Sequence, residues 1–269
     1  MKISIVSVAF NEEKNIAKTI ESVLCQTSTD YEYIICDGKS TDKTVEIAQS
    51  YIEKFEQKGI KYIINSEKDN GIFDGMNKGI DLASGDYIYF LNAGDRLYSN
   101  GVIEKIVAVA KENNAPDVIY GNVMCIERNI LFETKAKEEL LLDHMSICHQ
   151  GTFASLKLMK QRKFDLKYSV AGDYNFLLGL KLDGYKFCGV DLIIAYYDMG
   201  GVSTKNVFKC YTEQALIKES YNLKVDYKQL KKDIRKNKRA IKIKSLIPKK
   251  LWVFWSTKIK KKQLAGKDF

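Results

Sequence analysis

The first ninety residues alternate continuous apolar runs with segments whose apolar positions recur every three or four residues. The runs Ile3 to Ala9, Tyr31 to Cys36, Lys61 to Asn65 and Tyr87 to Leu91 read as strands of an inner sheet. Between them, Glu12 to Cys25 sets Ile16, Ile20, Val23 and Leu24 on one helical face, and Thr41 to Phe55 does so with Val45, Ala48, Tyr51 and Ile52. A third helix is predicted from Phe73 to Ala83, ending at Ser84-Gly85, where glycine can take the left-handed conformation that stops a helix. Strands alternating with helices imply β-α-β units, a mainly parallel sheet and helices packed on its faces, hence an α/β fold.

Beyond that point the pattern loosens. Asn100 to Asn113 reads as a helix, Val118 to Glu133 as strands around a Glu127-Arg128-Asn129 turn, and Gly172 to Leu182 as a helix preceding the apolar run Phe187 to Tyr197. The 269 residues, 45% hydrophobic and with only two prolines, are enough for one large core and lack the Pro/Gly-rich linkers that separate modules. Residues 1–95 and 96–225 are expected to form two halves sharing one sheet, followed by a tail, 226–269.

Charge sharpens that division. Residues 231 to 269 carry 15 Lys/Arg against Asp233 and Asp268, a net +13, which leaves −4 of the total +9 for residues 1 to 230. The six cysteines have no C-x-x-C spacing, which suits a reducing compartment and argues against a zinc site. The N-terminus is too short and strand-like for a signal peptide, and no apolar run reaches the roughly 18 residues of a bilayer span. The expected location is the cytoplasm.

In an open parallel sheet, ligands bind beyond the carboxyl ends of the strands. Three polar clusters fall there: Asn11-Glu12-Glu13, Asp37-Gly38-Lys39-Ser40-Thr41-Asp42 and Asn92-Ala93-Gly94-Asp95. The dinucleotide fingerprint G-x-G-x-x-G and the P-loop G-x-x-x-x-G-K-[ST] are both absent from these turns, which disfavours a dehydrogenase or an ATPase. The loops offer acid instead, and acid repels a diphosphate unless a divalent cation lies between them.

Several segments in order resemble family 2 of the glycosyltransferases. They are Ser4 to Glu12, Cys36 to Asp42, Glu67 to Gly79, Gly85 to Asp95, His149-Gln150-Gly151 and Ala171 to Tyr174, within residues 1 to about 200. The resemblance implies a GT-A, Rossmann-like fold with a mixed, mainly parallel sheet and helices on both faces, plus a basic C-terminal helical tail. Residues 1–95 would be the donor-binding half and 96–225 the acceptor half. The nearest likeness is to enzymes that build capsule, exopolysaccharide or lipopolysaccharide glycans, such as colanic acid transferases.

Roles follow position by position. Phe10, Asn11 and Glu12 resemble the loop flanking the base and ribose, and Asp37 the acid on the base, or else a turn carboxylate that caps the next helix. The family's Asp-x-Asp motif stands here as Asn92-Ala93-Gly94-Asp95, leaving Asp95 as the strong ligand for Mg²⁺ or Mn²⁺, or a cap for the next turn, with Asn92 in the donor site. Asp173 aligns with the family's general base, or caps its helix. Asp69, Asn70, Asn77 and Lys78 border the donor sugar, although Lys78 reads equally as a solvated helix lysine. His149 resembles an acceptor-side or diphosphate-side residue.

The resemblance thus implies an inverting transfer from a UDP-, GDP- or dTDP-sugar to a lipid-linked or oligosaccharide acceptor. In the tail, basic residues beside Leu246 to Trp255 have the composition of an interfacial anchor on an anionic membrane, which would hold the enzyme peripherally on the inner face, with nucleic acid not expected as a partner. The rival readings are a nucleotidyltransferase acting on sugar phosphates and a non-catalytic nucleotide- or nucleic-acid-binding protein.

Overall fold

The computed structural model describes residues 1–128, 130–200 and 206–246. One sheet runs through it in the order β3-β2-β1-β4-β8-β6-β9-β5, with β7 paired to β6. The strands are β1 (Ile3–Ala9), β2 (Tyr31–Asp37), β3 (Tyr62–Ser66), β4 (Tyr87–Phe90), β5 (Arg96–Leu97), β6 (Val118–Glu127), β7 (Ile130–Thr134), β8 (Thr152–Ser155) and β9 (Phe187–Asp198). The first four are mutually parallel, β8 runs antiparallel between β4 and β6, and β6 and β9 are again parallel. Strands before and after residue 95 therefore belong to a single hydrogen-bonded sheet.

Helices cover both faces, and strand alternation explains how. In β1, Ile3, Ile5 and Ala9 enter one core with α1 (Ile16–Leu24), α2 (Thr44–Gln49), α3 (Ile52–Gln57) and α5 (Val102–Glu112). Val6 and Val8 enter the other with α4 (Ile72–Leu82), α6 (Leu156–Gln161) and α7 (Gly172–Leu182). Strands buried on both sides need apolar residues at successive positions, which is why they read as runs. After β9 come α8 (Val207–Ser220) and α9 (Tyr227–Leu246). Helix α9 turns a stripe of half-buried Leu230, Asp233, Ile234, Asn237 and Ala240 inward and leaves Lys231, Lys232, Arg235, Lys236, Lys238 and Arg239 exposed. Asn237 Nδ2 donates to Tyr211 of α8 at 2.8 Å.

Two local expectations need correction. The helix expected over Thr41 to Phe55 is two helices, because the chain tightens at Ser50 and Tyr51, where Tyr51 N–H bonds Ala48 O. Gly85 does not stop α4 through a left-handed conformation, since it is not among the positive-φ glycines. The helix ends at Ala83, which turns extended, and the next N–H, of Ser84, is taken by Glu32 Oε1. Gly85 is needed for space: a Cβ there would lie 2.7 Å from Lys2 O and 2.9 Å from Ser4 N.

Candidate functional site

Because β1 to β4 are parallel, the loops that follow them open on one rim. The first two are laced together. Asn11, with φ +54°, donates its N–H to Ser40 Oγ at 2.8 Å and accepts from Thr41 N–H through Oδ1 at 2.9 Å. Glu12 N–H reaches Thr44 Oγ1 at 2.7 Å and Glu13 N–H reaches Asp42 Oδ2 at 3.1 Å. Phe10, at the head of this loop, leaves its ring exposed.

Asp37 is buried at the end of β2, and its carboxylate gathers three donors: Ser40 N–H at 2.9 Å, Ser66 Oγ at 2.6 Å and the Ser40 hydroxyl. It organises its turn and the end of β3, whereas Asp42 Oδ1 accepts the N–H of Thr44 at the start of α2. Asp69 accepts from Gly71 N–H at 3.1 Å, and its other oxygen lies so close to Gly38 that a Cβ there would stand 2.6 Å away. Asn70 turns to Asp74 Oδ2 through its N–H and its amide. Lys78 donates to Lys68 O at 2.6 Å and pairs with Glu67 at 3.5 Å, tying the loop after β3 to α4. Asn77 exchanges two 2.9 Å bonds with the backbone of Phe164, which docks the segment after α6.

A second group assembles beyond β4. Asn92 Nδ2 lies 3.2 Å from His149 Nε2, and His149 Nδ1 lies 3.1 Å from Asp173 Oδ2. With the amide donating to Nε2, the ring proton sits on Nδ1 and is donated to Asp173, so the three residues form one directed chain. The other Asp173 oxygen accepts from Tyr174 N–H at 2.8 Å in the first turn of α7. No side chain caps that helix at Ala171, so Asp173 is not its N-cap. Ile88, Phe90, Phe164 and Leu177 join the pair in lining a small cavity of about 20 Å³.

Asp95 stands beside this chain, 5% exposed. It accepts from Gln150 Nε2 at 3.2 Å and from Asp198 N–H at 3.1 Å. Burial pushes its carboxyl up to about 7; nearby His149 and the two hydrogen bonds hold it down only in part, and Asp198 pushes it further up. Asn92 Oδ1 is buried without a hydrogen-bond partner in the described structure. An acid short of positive charge beside an unpartnered oxygen is an environment that favours a cation.

Reading the sequence missed three contributors here. Gln150 adjoins the His149 motif, Asp198 closes β9, and Glu213 on α8 holds the backbone ahead of Asp173. Only Gln150 had a signal, its place in His149-Gln150-Gly151.

The model for glycosyl transferase family 2 matches residues 4–182. A PGL/p-HBAD biosynthesis glycosyltransferase of Mycobacterium bovis is 32% identical over 174 residues, 64% of this chain and 67% of the relative. The amylovoran biosynthesis glycosyltransferase AmsB of Erwinia amylovora is 26% identical over 211 residues, 73% of this chain and 69% of AmsB. The crystal structure of S. aureus TarS in complex with UDP-GlcNAc shares the fold at a TM-score of 0.68 and 18% identity, over 86% of this chain and 69% of that one. The nucleotidyltransferase and non-catalytic readings are thereby set aside. With the family model spanning both the strand-end loops and the Asp173 helix, the chain belongs to glycosyl transferase family 2 and is a glycosyltransferase of GT-A fold.

Proposed function

We propose that the enzyme transfers a sugar, with inversion, from a UDP-, GDP- or dTDP-sugar to a hydroxyl of a lipid-linked or oligosaccharide acceptor during polysaccharide assembly. The observation that carries this reading is the Asn92–His149–Asp173 chain lying next to buried Asp95. Residues 1–95 bind the donor, with Phe10, Asn11, Glu12, Asp37, Asp69 and Asn70 at the rim for the nucleoside and sugar, and residues 96–225 receive the acceptor.

Asp173 takes the proton of the acceptor hydroxyl as that oxygen bonds to the anomeric carbon, while the bond to the nucleoside diphosphate breaks on the opposite face. His149 supports this by donating Nδ1–H to Asp173 Oδ2, which fixes the carboxylate's orientation. Asp95 and Asn92 Oδ1 would hold Mg²⁺ or Mn²⁺. Among the described residues no group of three His, Cys, Asp or Glu is gathered for a metal, so such an ion would draw further ligands from donor phosphates and water. When bound, the ion neutralises charge on the departing diphosphate.

The exposed lysines and arginines of α9 support peripheral attachment to an anionic inner-membrane surface, each worth about 1 kcal/mol near such a leaflet. The Trp252 and Trp255 cluster lies outside the described residues. Among the described residues no helix is long and apolar enough to cross a membrane.

The test is to incubate the purified chain with UDP-, GDP- and dTDP-sugars, with and without Mn²⁺, following thermal shift and nucleotide release. One donor class should stabilise the fold, more strongly with Mn²⁺, and Asp173→Asn should bind it equally but release nucleotide at least about 100-fold more slowly. No stabilisation by any donor, or an Asp173→Asn enzyme of parental rate, overturns the reading.

A further inference from the structure

The segment that delivers Asp173 to the site is held from outside the stretch that matches the family model. Glu213 lies on α8, beyond residue 182, and is 6% exposed. Its Oε2 accepts the N–H of Val170 at 2.8 Å and of Ala171 at 2.9 Å, while Oε1 accepts the N–H of Ser169 at 3.1 Å and its hydroxyl at 3.2 Å. Three consecutive backbone donors converge on one carboxylate, two residues before Asp173. Lys209, one turn earlier on α8, stands 3.9 Å from Oε1. The same helix grips the strand of chain leading to His149: Gln214 Oε1 accepts from Met145 N–H at 3.4 Å, and Lys218 Nζ donates to Asp143 O at 3.2 Å.

We infer that Glu213 is a positioning residue for Asp173, and that α8 is a clamp setting the 3.1 Å contact between His149 and Asp173. The role assigned to Asp173 rests on the function proposed above; the clamp on its position does not. A carboxylate suits the task because all four lone-pair sites accept, and the four donors need nothing else. Glutamine at this place turns an NH₂ group toward backbone N–H donors and cannot satisfy both oxygens' partners. Aspartate keeps the acceptors but draws them back by one methylene. Displacement of a reacting group by a fraction of an ångström to 1 Å lowers turnover by about 10- to 100-fold without touching donor binding.

The chain has only two histidines, His144 and His149, which allows a readout independent of turnover. In the full-length protein, ¹⁵N–¹H spectra of the imidazole rings should show the His149 signals shifted in Glu213→Gln, with those of His144 unchanged. Nucleotide release, measured on the donor class that stabilises the parent, should fall about 10- to 100-fold while the nucleotide's Kd holds, and Glu213→Asp should recover part of the rate. If Glu213→Gln fails to fold, Glu213→Asp decides on the same two readouts. Parental His149 signals and parental release in the folded variant overturn the clamp, as does loss of cooperative melting in both variants, which makes Glu213 a determinant of the fold alone. An Asp173→Asn enzyme of parental rate sinks the catalytic reading while leaving the His149 spectra to judge the clamp; a dead Asp173→Asn beside a parental Glu213→Gln sinks only the clamp.

Discussion

Two buried acids sit at opposite ends of the same sheet and meet opposite fates. Glu32, near the start of β2, has its side chain fully buried and accepts from Ser4 Oγ at 2.7 Å, from Ser84 Oγ at 2.6 Å and from Ser84 N–H, with Lys2 at 3.4 Å and Lys61 at 3.3 Å. Burial by itself would raise its carboxyl, but the bonds from Ser84 and Ser4, together with Lys2, hold it at about 2. Asp95, past the end of β4, has two neutral donors, and burial carries it to about 7. Two acids closed to solvent thus differ in depth and in company: the one at the amino rim is compensated by donors and cations, and the more deeply buried one at the carboxyl rim is under-compensated. The amino rim balances its buried charge from within, and the carboxyl rim does so only in part, which is the contrast the proposed cation site rests on.

The sharpest way to break this contrast is Asp95→Asn. Nucleotide release should drop about 10²- to 10³-fold. Stability should move the other way. With a folded value of about 7 and an unfolded value near 3.9, native Asp95 binds the extra proton between those limits, so the parent loses stability as pH rises through that window. Asparagine removes this loss, and melting at pH 8 should shift upward by about 2–4 °C for each kcal/mol relieved. A lower melting temperature at pH 8 would refute the strained-acid account.

Glu32→Gln should do the reverse: a loss of about 1.5–3 kcal/mol in denaturant titrations with little change in nucleotide release. Because the folded value is depressed, the Glu32 contribution is present above its unfolded value near 4.3 and disappears as pH falls through about 2. The variant's acid-unfolding curve should be flatter over that interval. A variant as stable as the parent would show that the amino rim is no better compensated than the carboxyl one.

The smallest effect is expected at Lys78, a partly exposed lysine on the carboxyl-rim side. Lys78→Ala should cost at most about 1 kcal/mol by chemical denaturation. Its donor KM should change only a few-fold, since the lysine already engages Lys68 O and Glu67. A KM rise beyond tenfold would assign it to the phosphates instead.

The fold could be read largely from particular runs. Ile3 to Ala9 announces β1 because every residue in it is buried, and Gly172 to Leu182 was legible end to end. Short elements escaped: the four residues of β8 carry no period of their own and pair only because β4 and β6 flank them. In the site, Asn92, His149 and Asp173 could be picked out by motif, but not the line joining them, which closes over separations of 57 and 24 residues. Glu213 carried no signal at all, since its partners are backbone amides 42 to 44 positions upstream, and amides look alike in every sequence. Gly85 shows the limit from the other side: the residue type was informative, yet its reason was proximity to Lys2 and Ser4, not handedness.

The unbroken ladder from β3 across to β9 also constrains how turnover is timed. Sliding or hinging one half against the other would sever the β4–β8 and β8–β6 pairings, a row of inter-strand hydrogen bonds in the middle of the molecule. Rearrangement confined to the loops at the strand ends leaves those pairings intact. On the function proposed above, opening, closing and product escape fall to the loops at the strand ends, and exchanging those loops, with the sheet left intact, is the route to altered donor or acceptor preference.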